Sequence, residues 1–142
     1  MVSFVRPVPD ELTAPFWEAA RQHRLALQRC RGCGRINHPP QVVCGWCTGT
    51  DLGYEEVPGT GRVCSYTTVP PRQDEPGDGP RTTIVVELDI QEGVLLVSGL
   101  DGDPPEWVDI GVPVRVYFER APETVGDELV LPRFLPAAGG EG

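Results

Sequence analysis

The chain has 142 residues, 39% of them hydrophobic and 23% charged, and a formal net charge of −9. That composition suits one globular domain or two small modules, and the charge disfavours a phosphate backbone as partner. All twelve basic residues are arginine, which excludes a Schiff-base lysine and the lysine of a phosphate-binding P-loop.

Glycine and proline together contribute 17 and 16 residues, a balance that favours short strands and turns over long helices. No apolar run approaches the roughly 18 residues that would cross a bilayer. The first nine residues lack the apolar core of a secretory signal, so a cytoplasmic setting is expected. The acidic residues are scattered, as on a solvated surface. A hydrolytic triad would have to draw on His23 or His38 and on Ser3, Ser65 or Ser98, and no nucleophile-elbow sequence surrounds any of these serines. Self-contained acid–base catalysis is therefore not expected.

Residues 13–24 read as a short helix. Thr13 or Ala14 is the expected cap, Pro15 fits the first turn, and Glu18 suits the positive N-terminal end. Phe16, Ala20 and His23 share one stripe with Trp17 beside it, so this marginal helix must dock, on its own domain or on a partner. Residues 25–29 alternate as a strand that leads into the strongest motif of the chain.

That motif is two tight cysteine pairs, Cys30 with Cys33 and Cys44 with Cys47, separated by ten residues. Each turn points two thiolates at one centre, and two turns complete the tetrahedral four-sulfur shell that zinc prefers. Gly32 and Gly34 ease the wrapping of the backbone. Four buried thiols or two disulfides are the alternatives, and iron with four sulfurs uses the same ligands as zinc. A reducing compartment favours bound thiolates over disulfides. Four protein ligands leave no open position, so the site is structural, and residues 25–57 are too short to bury a core of their own.

The return limb of the ribbon is expected over residues 36–43, with Pro39 and Pro40 at an edge or turn because they cannot donate to a ladder. His38 in this limb reads as a surface residue, since four thiolates already fill the shell. Residues 52–57 form a third strand. Beyond Gly59 the pattern becomes that of a small barrel. Residues 61–69 place Val63, Ser65, Thr67 and Val69 on one face, with the odd cysteine, Cys64, as a packing residue on the other. Residues 72–80 are a polar loop without periodicity. Residues 82–90 turn Ile84, Val86, Leu88 and Ile90 inward, and residues 94–100 form a more fully buried strand. Residues 111–119 bury Val112, Val114, Val116 and Phe118, and residues 128–134 give a last strand. Four or five such strands suggest a closed or partly open barrel.

The fold class is thus mainly β: a short N-terminal helix, a four-cysteine zinc ribbon and a small five-stranded barrel. The expected units are a helical segment over 1–24, a ribbon over 25–58, a barrel over 59–135 and a flexible tail over 136–142.

In order and spacing, the Phe16-Trp17 helix, the Cys30-Arg-Gly-Cys33 and Cys44-Gly-Trp-Cys47 pairs, Gly61-Arg-Val-Cys-Ser-Tyr-Thr, Ile110-Gly-Val-Pro-Val-Arg-Val and Leu131-Pro-Arg-Phe134 resemble the domain-of-unknown-function-35 family. Its members are also described as acyl-CoA-associated OB-fold proteins, and the likeness runs from Phe16 to Phe134. Gly45 departs from the proline common at that position, which touches the turn and not the ligands.

The resemblance implies a non-catalytic partner of acyl-CoA enzymes. The enzyme would be a thiolase-fold protein, with a steroid side-chain aldolase favoured, or a hotdog-fold enoyl-CoA hydratase. It further implies structural zinc on Cys30, Cys33, Cys44 and Cys47, a docking helix carrying Phe16 and Trp17, and an OB barrel that contacts acyl-CoA. Arginine is the only cation able to meet the phosphates of CoA, and Arg31, Arg35, Arg62 and Arg133 are the candidates. Two other readings are a stand-alone acyl-CoA-binding module and a single-stranded nucleic-acid binder. The second is disfavoured by 7% aromatic residues and the acidic charge.

Overall fold

The computed structural model describes residues 10–70, 80–101, 105–120 and 129–137. The elements in order are α1 (Ala14–Arg21), β1 (Ala26–Cys30), β2 (Ile36–Asn37), β3 (Leu52–Glu56), β4 (Thr60–Val69), β5 (Arg81–Leu88), β6 (Leu95–Asp101), β7 (Pro113–Arg120) and β8 (Val130–Pro136). Apart from Pro80, the expected 72–80 loop lies outside the described residues, as do residues 138–142 of the expected tail. Pro136 instead ends β8 opposite Val114, and the Ala137 N–H donates to the Pro113 carbonyl at 3.0 Å.

The helix starts at Ala14 with Thr13 as its N-cap, as expected, and a turn closed on Asp10 precedes it. The Thr13 N–H donates to Asp10 Oδ1 at 2.9 Å, the Asp10 N–H donates back to Thr13 Oγ1 at 3.0 Å, and the Ala14 N–H donates to the Asp10 carbonyl at 2.8 Å. Thr13 stands at the N-cap position but makes no side-chain bond into the helix. The bonds from Thr13 hold the Asp10 carboxyl below the usual carboxylate range.

The helix stops at Arg21, three residues early. His23 takes a left-handed φ of 61°, and the His23 and Arg24 N–H groups donate to Ala20 and Ala19, the closure that usually recruits glycine. That turn carries His23 off the expected stripe and stacks it on Phe118. Ala19 and Ala20 are the buried helix residues, and α1 packs on β1 and β8 of its own chain.

The ribbon is an antiparallel sheet in the order β2-β1-β3. Its return limb is two residues long rather than eight, because Pro39 and Pro40 bring no N–H to the ladder. The His38–Pro39 peptide bond is cis. Past the prolines the buried Gln28 side chain replaces the ladder: its Nε2 donates to the Gln41 carbonyl and its Oε1 accepts from the Gln41 N–H, both at 2.9 Å.

The second sheet has the order β6-β5-β4-β7-β8, all antiparallel. Among the described residues no ladder joins its two edge strands, β6 and β8. Side chains bridge them instead: Ser98 Oγ donates to the Pro132 carbonyl at 2.9 Å, and Arg133 Nη1 donates to the Gly99 carbonyl. The result is a partly open five-stranded OB-type barrel.

Strand β5 buries Ile84, Val86 and Leu88 as its alternation requires. Strand β4 departs from its pattern. The register jumps from Val63 opposite Val86 to Ser65 opposite Val85, leaving Cys64 as the extra residue of a bulge. One extra residue flips every later side chain. Ser65, Thr67 and Val69 are therefore exposed rather than on the face of Val63. Thr68 turns in, its hydroxyl 3.0 Å from that of the buried Thr82.

Strand β6 is not fully buried either. Leu96 and Ser98 face the core, whereas Leu95 and Val97 are 45% and 66% exposed, as an edge strand allows.

One core spans ribbon and barrel. Leu25, Leu27, Ile36 and Val57 belong to the same buried cluster as Val63, Ile84, Val86, Val114 and Phe134. The ribbon thus borrows the barrel's core. Gln91 adds a polar clamp: its Oε1 accepts from the Ile36 N–H at 2.8 Å, and its Nε2 donates to the Ile36 carbonyl at 3.1 Å.

Gly61 is where the barrel tolerates no side chain. A Cβ there would lie 2.4 Å from the Glu87 carbonyl oxygen and 2.8 Å from Val86 Cγ1. Gly61→Ala is expected to cost about 1–3 kcal/mol in urea denaturation. Gly53→Ala should cost less, because a Cβ there meets only the flexible end of Arg31.

Candidate metal centre and apolar groove

Each cysteine pair is held by a turn whose backbone points at sulfur. The Cys33 N–H donates to Cys30 Sγ at 3.5 Å, the Trp46 N–H to Cys44 Sγ at 3.4 Å and the Gly49 N–H to Cys47 Sγ at 3.4 Å. Asn37 at the end of β2 supports the second pair. Its Nδ2 donates to Cys44 Sγ at 3.5 Å, and its Oδ1 accepts from the Gly45 N–H at 2.9 Å.

The four sulfurs lie within 4.8 Å of one another, with Cys30–Cys47 at 3.6 Å and Cys33–Cys44 at 3.7 Å. Zinc–sulfur bonds of about 2.3 Å put tetrahedral sulfurs about 3.8 Å apart, whereas a disulfide needs about 2.05 Å. The donor set fits a four-coordinate metal.

The electrostatics agree. The Asn37 amide is the main influence drawing Cys44 down to about 6. The Gly49 N–H lowers Cys47, but crowding by Cys30, Cys33 and Cys44 together with burial outweighs it and pushes that thiol up to about 11. Four thiolates this close need a cation at their centre, which deprotonates them together. His38 lies outside this cluster.

A second feature had no counterpart in the sequence reading. A groove of about 540 Å³ runs between α1, the ribbon and the open β6/β8 seam. Thr13, Phe16 and Trp17 form one wall, and His38, Pro39, Pro40 and Tyr54 form the second. Residues 95–99 and 131–133 make the floor. Phe16 and Trp17 meet edge to face at 4.9 Å, and Phe16 lies 6.1 Å from the His38 ring. Both helix aromatics are half-buried walls of a cleft rather than fully exposed surface. His38, expected at the surface, is likewise half-buried, and burial pushes its pKa down, keeping it neutral at neutral pH. The sequence signal of the groove is the run Val94-Leu-Leu-Val, read as burial on both faces but lying in a strand that proves to be an edge.

The four candidate arginines do not converge. Arg133 alone lines the groove, its Nε 3.2 Å from Glu119 Oε1. Arg31 pairs with Asp51 at 2.9 Å, and the Arg35 guanidinium lies over the exposed Trp46 ring at 4.5 Å. Arg62 donates to the Gly111 carbonyl at 3.3 Å. Cys64 is an exposed bulge residue. Among the described residues no helix is long and apolar enough to cross a membrane.

A rubredoxin-like four-sulfur ribbon packed on a partly open five-stranded barrel defines a zinc-ribbon OB-fold protein, with structural zinc as its cofactor. Residues 17–53 match the family described as "ChsH2, rubredoxin-like zinc ribbon domain", and residues 54–119 match "ChsH2, C-terminal OB-fold domain". The chain belongs to this ChsH2-type DUF35 family.

A solved structure, the Ltp2-ChsH2(DUF35) aldolase, contains a chain with 37% identity and a TM-score of 0.75, the likeness covering 92% of this chain and 98% of that one. The probable enoyl-CoA hydratase alpha subunit of Thermomonospora curvata is 38% identical over 133 residues, 93% of this chain and 40% of that protein. The 3-oxo-4,17-pregnadiene-20-carboxyl-CoA hydratase alpha subunit of Mycobacterium tuberculosis is 30% identical over 85% of this chain and 38% of its own length. The chain therefore spans about two fifths of these two curated relatives.

Proposed function

We propose that this chain is a non-catalytic accessory subunit that binds and supports a thiolase-fold acyl-CoA enzyme, with an aldolase of steroid side-chain degradation as the favoured partner. The observation that carries this reading is the likeness to nearly the whole of the chain in the Ltp2-ChsH2(DUF35) aldolase. That protein's name couples a DUF35 chain to an aldolase.

In this reading Cys30, Cys33, Cys44 and Cys47 hold the zinc and staple the ribbon. The ribbon over 25–58 and the barrel over 59–135 act together through their shared core. The helix with Phe16 and Trp17 lies on the docking side. Arg31, Arg35 and Arg62 are the candidates for CoA phosphates outside the groove, while Arg133 acts at its floor. A cytoplasmic setting, with its reducing thiol poise, suits thiolate coordination.

Co-expression tests the reading. With a thiolase-fold partner the chain is expected to elute as one stable complex on size exclusion, and the partner alone to be inactive or insoluble. A partner that is fully active without this chain overturns the proposal. Capture of a hotdog-fold hydratase instead moves it to the activity named for the curated relatives. A mobility shift with single-stranded nucleic acid at low salt, where electrostatic binding is strongest, would favour the nucleic-acid reading.

A further inference from the structure

We infer that Cys33 is a modification site, the thiolate of the ribbon at which a peroxide attacks, and that Cys44 resolves the product into a disulfide across the two turns. The four ligand sulfurs are not equivalent. Cys30 and Cys44 are buried, whereas Cys33 and Cys47 are exposed. Hydrogen bonds divide them again. Cys30 Sγ accepts the Cys33 N–H, Cys44 Sγ accepts from the Trp46 N–H and from Asn37, and Cys47 Sγ accepts the Gly49 N–H. Among the described residues Cys33 Sγ accepts no N–H, and its contact is the Cys44 sulfur at 3.7 Å. An N–H aimed at sulfur draws charge from it, and oxidation follows thiolate character and access. Cys33 alone combines full exposure with an undrained sulfur.

Access is open for a structural reason. Gly32 and Gly34 flank Cys33, both exposed, so neither chain neighbour carries a side chain to screen it. Gly34 holds a φ of 82°, and even a Cβ there would meet nothing within 4 Å. Cys47 sits instead between Trp46 and Thr48, with Gly49 so close that a Cβ on it would lie 3.2 Å from the sulfur.

Coordination keeps all four sulfurs deprotonated. The Cys33 thiolate attacks one peroxide oxygen: the S–O bond forms, the O–O bond breaks, and hydroxide leaves and takes up a proton to become water. The Cys44 thiolate then attacks the Cys33 sulfur: the S–S bond forms, the S–O bond breaks, and a second water leaves after protonation. The two sulfurs have lost two electrons and the peroxide has gained them. They must close from 3.7 Å to about 2.05 Å, a movement that the glycine-flanked turn at Cys33 allows. Neither disulfide sulfur keeps its ligand charge. Only Cys30 and Cys47, 3.6 Å apart, then remain as donors, too few for the four-sulfur shell that holds zinc.

The fold carries this change outward. Strand β2 lies between the two turns, and its Ile36 is clamped by Gln91 and belongs to the shared core. Loss of the shell therefore loosens the ribbon from the barrel, and a thiol reductant with zinc restores it. None of these steps involves a partner, so this inference and the accessory-subunit reading fail separately.

The test uses the zinc-loaded full chain carrying Cys64→Ser, which removes the exposed cysteine outside the site. A substoichiometric pulse of N-ethylmaleimide is expected to label Cys33 first, ahead of Cys47 by about fivefold, the worth of one hydrogen bond, and ahead of Cys30 and Cys44 by more. Trypsin resolves the map: Arg29, Arg31 and Arg35 part Cys30 from Cys33, while Cys44 and Cys47 fall together in residues 36–62 and are told apart by fragmentation. Hydrogen peroxide should release zinc to a chromophoric chelator in step with a Cys33–Cys44 disulfide, and dithiothreitol with zinc should restore the far-UV spectrum. Cys33→His keeps a fourth ligand and should release zinc at least about fivefold more slowly. If that variant does not load zinc, the labelling map of the Cys64→Ser chain decides alone. First labelling at another ligand, a first disulfide other than Cys33–Cys44, unslowed release from loaded Cys33→His, or zinc retained through hours in millimolar peroxide overturns the inference.

Discussion

Stripping the metal with a chelator at pH 7 is expected to lower the melting temperature of the whole chain, not of the ribbon alone. Structural zinc in small four-ligand modules supplies on the order of 10 kcal/mol of folding free energy, comparable with the entire stability of an ordinary domain. Were the ribbon an independent bead, its loss would leave the barrel untouched. It is not independent: Leu25, Leu27, Ile36 and Val57 share the barrel's buried cluster, and Gln91 of the barrel holds both main-chain groups of Ile36. Release of the metal therefore uncovers barrel residues as well. Circular dichroism melts of the zinc-loaded and chelated protein check this, with a drop of more than about 20 °C expected from the size of the metal term. Cys44→Ser should reproduce most of the drop, because that sulfur is buried and also anchors Asn37. Melts that agree to within a few degrees would mean that the four sulfurs hold nothing that stabilises the fold.

The metal ligands were legible because their chemistry is written in spacing. Two Cys-x-x-Cys turns specify one tetrahedral centre whatever the surrounding chain does, and the structure brings their sulfurs together. The strands of the barrel were legible where alternation is regular, as from Ile84 to Leu88. What the sequence concealed follows from three physical causes. The bulge at Cys64 inserts one residue and inverts the faces of β4 beyond it, which no periodicity count detects. The Val94-Leu-Leu-Val run suggested burial on both faces, yet β6 is an edge strand whose second face borders a cleft. Strand order, unlike strand identity, is a long-range property. The groove is assembled from α1, residues 38–40 and the β6/β8 seam, segments tens of residues apart.

Phe134→Ala should be the most damaging single substitution outside the metal centre. Phe134 sits in β8 opposite Val116, is 0% exposed, and belongs to the cluster that unites the ribbon's Leu25, Leu27 and Ile36 with the barrel. Truncating a buried phenylalanine removes its transfer free energy and leaves a cavity, at a cost of about 3–5 kcal/mol. Collapse into that cavity is restricted here, because the neighbouring strand β7 is tied to β4 on its other side and the floor of the seam is pinned by Ser98 and Arg133. The upper half of the range is therefore expected. Phe118, half-buried and stacked on the exposed His23 ring, gives the control. Its truncation should cost clearly less, since solvent already reaches the site and can fill the space. Phe134→Leu keeps most of the volume and should stay within about 1.5 kcal/mol of the parent. Urea denaturation with a constant m-value decides the matter. Equal losses for Phe134→Ala and Phe118→Ala would mean that ribbon and barrel do not meet around this ring and that the single core is two.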